Sequence, residues 1–529
     1  MFNINALDSI AFPVVMLIVV IVFGLFVFWD MKNKAGLGTA LNRRYKVKNP
    51  GKFYLILAKR RRWIRKNQFV CMSENSRYLH TQVIGSTGSG KTRYAFYPSI
   101  YQDIQRGAGC FILDVKSNMR KQIASYIQQA GRDDDFYYFD IGDPKSLTYN
   151  PLAGDDPDQI SNRICSALYP ETERGEQYYK DIGKRFIQSL VRLLFSYSKN
   201  ITFRDLLEAA TKPAKLRMLC EQKVNDIDAE YFLNNWVDIS ESDRQKQLSG
   251  LITKLQSFVS AKWTNLINVY DSDINMEKIV NENKVIVFGL SSQLYTSDYK
   301  AIAILALMDL QNVIAKRYYQ DKKQGYFLYL DEFKDIVFPQ FADLINKARE
   351  AKVGIMIGHQ SLGDLTSISE SFENIILTNT RNKIIFNLDN VKSAEYFSKL
   401  IGTKKVIEKT YNYASGGAFQ GSTQKGYSTK YVDEFIKHPN DLKTLKPGIA
   451  IIRTVDDDGT RHFQHKLLNI PELNYDADRV KKPKERSKTD SSFEENIPEQ
   501  PSRDIPRMRR ISEDGDDEPG TVSRPRRPR

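Results

Sequence analysis

The period of apolar and polar positions changes several times along this chain of 529 residues, and each change predicts a different element. Residues 11–29 carry no charge and centre on Leu17-Ile18-Val19-Val20-Ile21-Val22-Phe23. At ~1.5 Å rise per residue that run just spans a bilayer core of ~30 Å. Pro13 falls in its first turn, where proline is tolerated, and Trp29 suits an interface. A cleaved signal peptide and a buried core helix are the alternatives. Residues 1–10 hold no basic side chain, which argues against the former. Further on, the apolar run 53–58 is too short to span.

From residue 79 short apolar runs alternate with helical patterns in two blocks. The run 79–84 reads as a strand, with 82–85 at its end, and 93–105 as the helix after it. Strands are expected at 110–114 and 136–140, then at 285–289, 326–331, 353–358, 383–388 and 449–453. Several are continuously apolar, as parallel strands covered on both faces must be. Residues 155–274 differ: they hold three glycines, three prolines and no strand pattern. Leu248, Leu251, Ile252, Leu255, Phe258 and Val259 recur at helical spacing, as do Ile182, Phe186, Ile187, Leu190, Val191 and Leu194. These stripes read as core faces of an inserted helical domain.

The pattern predicts an α/β fold with a doubly wound sheet, interrupted by an all-helical insertion and preceded by one transmembrane helix. The divisions are 1–30 with the membrane helix, a basic juxtamembrane segment 31–70, nucleotide-binding parts at 71–154 and 275–475 around the insertion 155–274, and a tail 476–529. Glycines among Ser, Thr and Tyr make 411–432 a long flexible connection. Seven of the 19 prolines fall in the last 49 residues, and the tail is expected to be disordered.

Net charge is +14, which favours a polyanionic partner. Residues 31–66 hold 13 Lys or Arg and no acid, nearly the whole excess. Beside a membrane helix this run orients the bulk of the chain to the cytoplasm. That orientation signal together with attraction to anionic lipid accounts for Arg60-Arg61-Arg62, with direct DNA contact the lesser alternative. The four cysteines form no C-x-x-C pair, a reduced cytoplasmic usage. His462 and His465 lack a third ligand and read as a surface strand.

Candidate chemistry begins at Gly85-Ser86-Thr87-Gly88-Ser89-Gly90-Lys91-Thr92, which fits G-x-x-x-x-G-K-[ST] without mismatch. A strand before and a helix after are the context this loop needs to present N–H groups to phosphate. Lys91 would reach the β- and γ-phosphates of ATP and Thr92 would ligate Mg²⁺. At the end of an apolar strand, Asp331 would hold the Mg²⁺ shell and Glu332 would polarise the attacking water, making an ATPase and not a kinase. Gln360, at the tip of the next strand, would sense the γ-phosphate. Arg349 would stabilise the transition state from a neighbouring subunit, with Arg381 a second candidate.

Together these motifs resemble the coupling-protein ATPases of bacterial type IV secretion and conjugation. The ordered markers are the glycine loop, Phe111-Ile112-Leu113-Asp114-Val115-Lys116-Ser117-Asn118, Tyr149-Asn150-Pro151-Leu152, the helical insertion, Leu330-Asp331-Glu332-Phe333, Gly358-His359-Gln360-Ser361 and Leu445-Lys446-Pro447-Gly448. The resemblance implies a RecA-type P-loop NTPase domain, a substrate-recognising helical domain and a homo-hexamer at the bacterial inner membrane. It implies partners too: relaxase or relaxosome proteins, type IV secretion channel components, and single-stranded DNA or a protein–DNA conjugate as cargo. Arg349 matches the position read in relatives as an arginine finger, and Gln360 the nucleotide sensor. One departure is that many members carry two membrane helices flanking a periplasmic domain. The alternatives are a receptor mainly for protein effectors, a chromosomal double-stranded DNA translocase and a non-hydrolysing scaffold.

Overall fold

The computed structural model describes residues 54–60, 68–170, 177–223, 225–295, 298–320, 324–336, 338–414, 424–456, 459–470, 473 and 476. The expected membrane helix at 11–29 and the tail from 477 lie outside them. Among the described residues no helix is long and apolar enough to cross a membrane.

Nine strands form one mixed sheet, in the order β13-β12-β9-β3-β8-β7-β4-β6-β5. In chain order they are β3 (Thr81–Ile84), β4 (Gly109–Asp114), β5 (Phe136–Asp140), β6 (Val285–Gly289), β7 (Tyr326–Leu330), β8 (Val353–His359), β9 (Asn382–Ile385), β12 (Ile449–Asp456) and β13 (Gly459–Lys466). The seven from β9 to β5 run parallel, and β12 and β13 close one edge antiparallel. Every residue of the seven parallel strands is buried, and most of their sequences read as apolar runs for that reason; β3 and β9 are the exceptions, carrying buried Thr81, Gln82, Asn382 and Lys383. Parallel strands point their C-terminal ends to one edge, so the turns that follow them gather there, where open α/β sheets place ligands.

Helices cover both faces. Phe96, Ile100 and Ile104 pack with Ile112, Ile123, Phe327, Tyr329 and Phe386 on one face. Phe397, Ile401 and Leu442 pack with Ile84, Ile385 and Ile451 on the other. A buried ion pair locks the first face: Arg77 donates bidentately to Asp103, at 2.7 and 2.6 Å, and Arg106 adds a contact at 2.7 Å.

Among the described residues of 155–274, the stretch that lacked strand patterning, there are seven α-helices, Pro157–Leu168, Gln177–Phe195, Phe203–Thr211, Pro213–Glu221, Ile227–Phe232, Glu241–Ser260 and Thr264–Ile267, and one π-turn, Leu233–Val237. Their starts are capped as the sequence allows: Asp156 accepts from the Asp158 and Gln159 N–H groups ahead of Pro157, and Thr202 forms a capping box with Asp205. The apolar stripes face inward, with Phe186 edge-on to Phe232 and Trp236, and Phe203 stacked 4.4 Å from Phe258. Ile182, Ile252 and Val259 are only half-buried, at the rim of those stripes. The chain departs and returns side by side: Ile274 N–H donates to the Thr148 carbonyl (3.1 Å) and Tyr149 N–H to that of Leu266 (2.8 Å). Arg163 of the insertion pairs with Asp309 (2.9 Å) on the helix Tyr299–Tyr318.

Several segments differ from the sequence reading. Only Thr81–Ile84 of the run from 79 is strand; a short helix, Glu74–Arg77, and a left-handed His80 precede it. The helix after the glycine loop opens with one turn of π-helix, Thr92–Phe96, before regular helix Tyr97–Gln105. The strand expected at 383–388 ends at Ile385, because the chain turns there to meet the glycine loop. Residues 54–60 and 68–73, divided between the basic segment and the nucleotide-binding part, form the antiparallel pair β1 (Tyr54–Arg60) and β2 (Gln68–Ser73). Leu55, Leu57, Val70 and Met72 join the core there.

The flexible connection expected at 411–432 is corrected at 411–414 and 424–432, while 415–423 lie outside the described residues. Residues 403–414 and 424–435 pair throughout as a hairpin, β10 (Thr403–Ala414) and β11 (Gln424–Phe435). β-Branched Thr403, Val406, Ile407, Thr429 and Val432 fit an extended ribbon better than a coil. The glycines that suggested a linker lie mostly in the segment between the two strands.

Candidate active site

The chain leaves β3 at Ile84 and coils through residues 85–90 before the π-turn. Two neighbouring strand ends pin this coil. Gly85 N–H donates to the His359 carbonyl (3.3 Å), and Ser86 N–H to the Asn387 carbonyl (2.8 Å). Gly88 and Gly90 take φ of 78° and 97°, where a side chain is strained, and a Cβ on Gly90 would stand 2.5 Å from the Tyr94 ring. Lys91 is buried under the coil and donates to the carbonyls of Gly85 (2.6 Å) and Ser86 (3.3 Å). Burial lowers its pKa, while Asp331 and Glu332 pull the other way. Ser89 Oγ is buried in the coil with no hydrogen-bond partner.

The acids follow β7, two strands from β3, with β8 between them. Adjacent strands are ~4.8 Å apart, so the side chains must reach over β8. They can because β8 presents Gly358 at that point. A Cβ there would lie 2.8 Å from Asp331 Oδ1 and 2.8 Å from the Phe96 ring. Over this gap Thr92 Oγ1 donates to Asp331 Oδ2. Burial raises the Asp331 pKa, and the charge of Glu332 adds to that against the Thr92 hydrogen bond.

Glu332 sits at φ 53°, a left-handed position for a non-glycine residue that aims its side chain along the sheet edge. Its two carboxylate oxygens have different partners: Lys116 Nζ on Oε1 at 2.5 Å and Gln360 Nε2 on Oε2 at 3.5 Å. Burial alone would raise its pKa, but the Lys116 hydrogen bond and charge outweigh that, so the carboxyl lies below its ordinary value. Gln360 is itself held by Asp364, whose Oδ2 accepts from the N–H groups of Gln360 (2.8 Å) and Ser361 (3.1 Å).

Behind the coil, fully buried His359 meets Gln82 across β3 and β8, Nε2 to Nε2 at 2.7 Å, and its Nδ1 lies 2.8 Å from the Ser361 carbonyl. Burial pushes the His359 pKa down to about 4. A neutral ring there fixes the turn that carries Gln360.

Lys91, Thr92, Asp331, Glu332 and Gln360 therefore converge at one sheet edge. Arg349 and Arg381 do not join them. Both are exposed at the opposite edge, Arg349 ahead of β8 and Arg381 at the start of β9. A seven-residue strand at ~3.3 Å per residue separates the two edges by roughly 23 Å. Three contributors carried no assigned role beforehand: Lys116, Asp364 and the Gln82–His359 pair. Lys116 had a signal, since it stands within the run 111–118 that marked the resemblance. Asp364, four residues after Gln360, is recognisable only once the turn is seen. Among the described residues no three His, Cys, Asp or Glu side chains cluster as a metal cage.

Residues 326–447, from β7 through the hairpin, match the family model described as the TraM recognition site of TraD and TraG. The fold agrees with solved conjugative coupling proteins. The plasmid coupling protein TrwB in complex with ADP and Mg²⁺ aligns over 78% of this chain and 90% of its own, with a TM-score of 0.57 and 13% identity. The unbound monoclinic form of TrwBdeltaN70 aligns over 76% and 89%, with a TM-score of 0.56 and 14% identity. TrwB with the ATP analogue ADPNP aligns over 76% and 90%, at 0.54 and 15%. This chain resembles the conjugative coupling ATPases. At such identities the likeness is one of fold. No curated protein sequence matches.

Proposed function

We propose that this chain is an ATP-hydrolysing coupling protein of the bacterial inner membrane. It links a DNA-processing complex, with its relaxase, to a type IV secretion channel and drives single-stranded DNA outward in conjugation. The observation that carries this reading is the meeting of Thr92 with Asp331 over Gly358, beside Lys91 and Glu332. Two features support a triphosphate at the coil: Gly88 and Gly90 take the positive φ that a phosphate-cradling curl needs, and buried Ser89 Oγ has no hydrogen-bond partner. Thr92 and Asp331 would hold Mg²⁺, which supplies charge neutralisation at the phosphates. Glu332, kept ionised by Lys116, would orient and deprotonate the attacking water. Gln360 would report the state of the site to the helix Gly363–Thr366 through Asp364.

Arg349 lies on the far edge of its own chain, so its role requires a second subunit. In a six-membered ring it would reach the neighbour's nucleotide, and hydrolysis at one interface would move cargo-facing loops. Residues 11–29 would anchor the ring with the bulk of the chain in the cytoplasm.

The test is ATP turnover of the full chain in detergent, with no DNA, single-stranded DNA or duplex DNA, at two salt concentrations. Stimulation by single strands, weakening as salt rises, is expected. Stimulation by duplex alone would replace this reading with a double-stranded DNA translocase. Indifference to both would replace it with export of protein effectors. Glu332→Gln should lower turnover by ~10²–10⁴-fold while ATP binding persists. Wild-type turnover in that variant would remove the assigned role.

A further inference from the structure

The turn after β4 touches two things at once. On one side Lys116 donates to Glu332 Oε1 at 2.5 Å. On the other, the same turn is bonded to the loop that follows β6. Leu290 N–H donates to the Asp114 carbonyl (3.0 Å) and Ser292 N–H to that of Val115 (3.1 Å). Ser291 N–H donates to Ser117 Oγ (2.8 Å), and the two hydroxyls lie 3.0 Å apart. Ser291 Oγ also donates to buried Asp140 at 2.8 Å.

Both serines are left-handed, with φ of 56° at Ser117 and 43° at Ser291. Such a backbone is strained for a residue with a side chain, so each position persists only while the surrounding bonds hold it. No spare room relaxes the pair: a Cβ on Gly289 would lie 2.9 Å from Ser117 Oγ, and one on Gly142 would lie 2.3 Å from Ser291 Oγ. The turn 114–117 and the loop 290–292 thus move as one piece or separate together. Two residues beyond Ser292 the loop exposes Leu294, 71% accessible, before the helix Tyr299–Tyr318. A large apolar side chain at the tip of a bonded loop is a natural lever.

We propose that Lys116 is a positioning residue for Glu332 and that it transmits the position of loop 290–295 to the hydrolytic carboxylate. The proposal rests on the ATPase reading above. A load on the Leu294 tip strains the serine pair and shifts the turn. Lys116 then carries Glu332 with it, changing how well the carboxylate is aimed while leaving the phosphate coil alone.

The decisive experiment is a double-mutant cycle in the full chain with Lys116→Met and Ser291→Ala. Each single variant should lower kcat by about tenfold with KM for ATP unchanged, since neither touches the coil. The double variant should be no worse than the more damaging single one, because both break one linkage. Lys116→Arg should restore most of the rate. Multiplicative losses, or a wild-type kcat in Ser291→Ala, would overturn the proposal. Hydrogen exchange at the Leu290 and Ser292 amides, measured without nucleotide, gives an independent reading. Lys116→Met should speed both, and unchanged exchange would also overturn the coupling. If the wild-type chain hydrolyses no ATP, the proposed function fails, and the exchange measurement still decides the linkage.

Discussion

A Cβ on Gly358 would lie 2.8 Å from Asp331 Oδ1, so the bare backbone of β8 is what lets this carboxylate reach Thr92. Gly358→Ala should push Asp331 off the hydroxyl and drop Mg²⁺-dependent ATP turnover at least tenfold, each ~1.4 kcal/mol being a factor of ten. The added methyl also meets the buried Phe96 ring at 2.8 Å, so the melting point should fall while the protein stays folded at assay temperature. Steady-state hydrolysis with a thermal scan checks this. Full activity in a folded Gly358→Ala protein would mean Asp331 is not needed where it stands.

Arg349 lies roughly 23 Å, one strand length, from the coil of its own chain. If it acts on a neighbour, Arg349→Ala and Lys91→Ala should each abolish turnover alone, while mixed subunits regain a fraction of it. The regained fraction comes from interfaces that pair an intact coil with an intact arginine. Assembly of the mixture is confirmed by differently tagged subunits. Co-purified but inactive mixtures would exclude action in trans.

His359 and His80 give the fold an acid limit. Burial holds the pKa of both at about 4, against an ordinary value of 6.5. The unfolded chain takes up protons below about 6.5 and the folded chain does not until about 4, so this stability is fully present above 6.5 and is lost as pH falls toward 4. For His359 alone the loss between pH 7.5 and pH 5 is about 2 kcal/mol. Urea midpoints at the two pH values should differ less in His359→Gln than in wild type. Equal differences would place a charged ring in the folded protein.

The strand core was readable because parallel strands covered on both faces favour apolar residues, and Phe136–Asp140 and Val285–Gly289 needed no adjustment; β3 and β9, with buried Gln82 and Lys383, were the harder strands to bound. The coil and the acid pair stood out because Gly85–Thr92 fits a spaced motif without mismatch and Asp331-Glu332 closes an apolar strand, and both lie at the same sheet edge. What escaped was set by tertiary partners. Lys116 is one charged residue in a turn until Glu332 is found 2.5 Å away. The hairpin β10–β11 looked like a linker because Gly416, Gly417, Gly421 and Gly426 weigh against strand and drew the reading away from the β-branched runs on either side, which pair with each other as adjacent strands. Gly358 gave no hint that two side chains would meet above it.

Asp103 is fully buried between Arg77 and Arg106, and Tyr329 also donates to it. Asp103→Ala would leave two guanidinium groups facing each other out of water. Removing one partner of a buried pair typically costs about 3–5 kcal/mol. Chemical denaturation should show that loss, or no soluble protein at all. A change under 1 kcal/mol would mean water reaches this site.

The helical cassette leaves and rejoins the sheet at neighbouring points, where Ile274 meets Thr148 beside the end of β5, and it touches the helix Tyr299–Tyr318 through Arg163 and Asp309. A part attached this way can be lengthened, traded or lost over evolutionary time without re-registering a single strand of the sheet. On the coupling-protein reading, client docking by the cassette and ATP hydrolysis at the sheet edge are then free to change at different speeds.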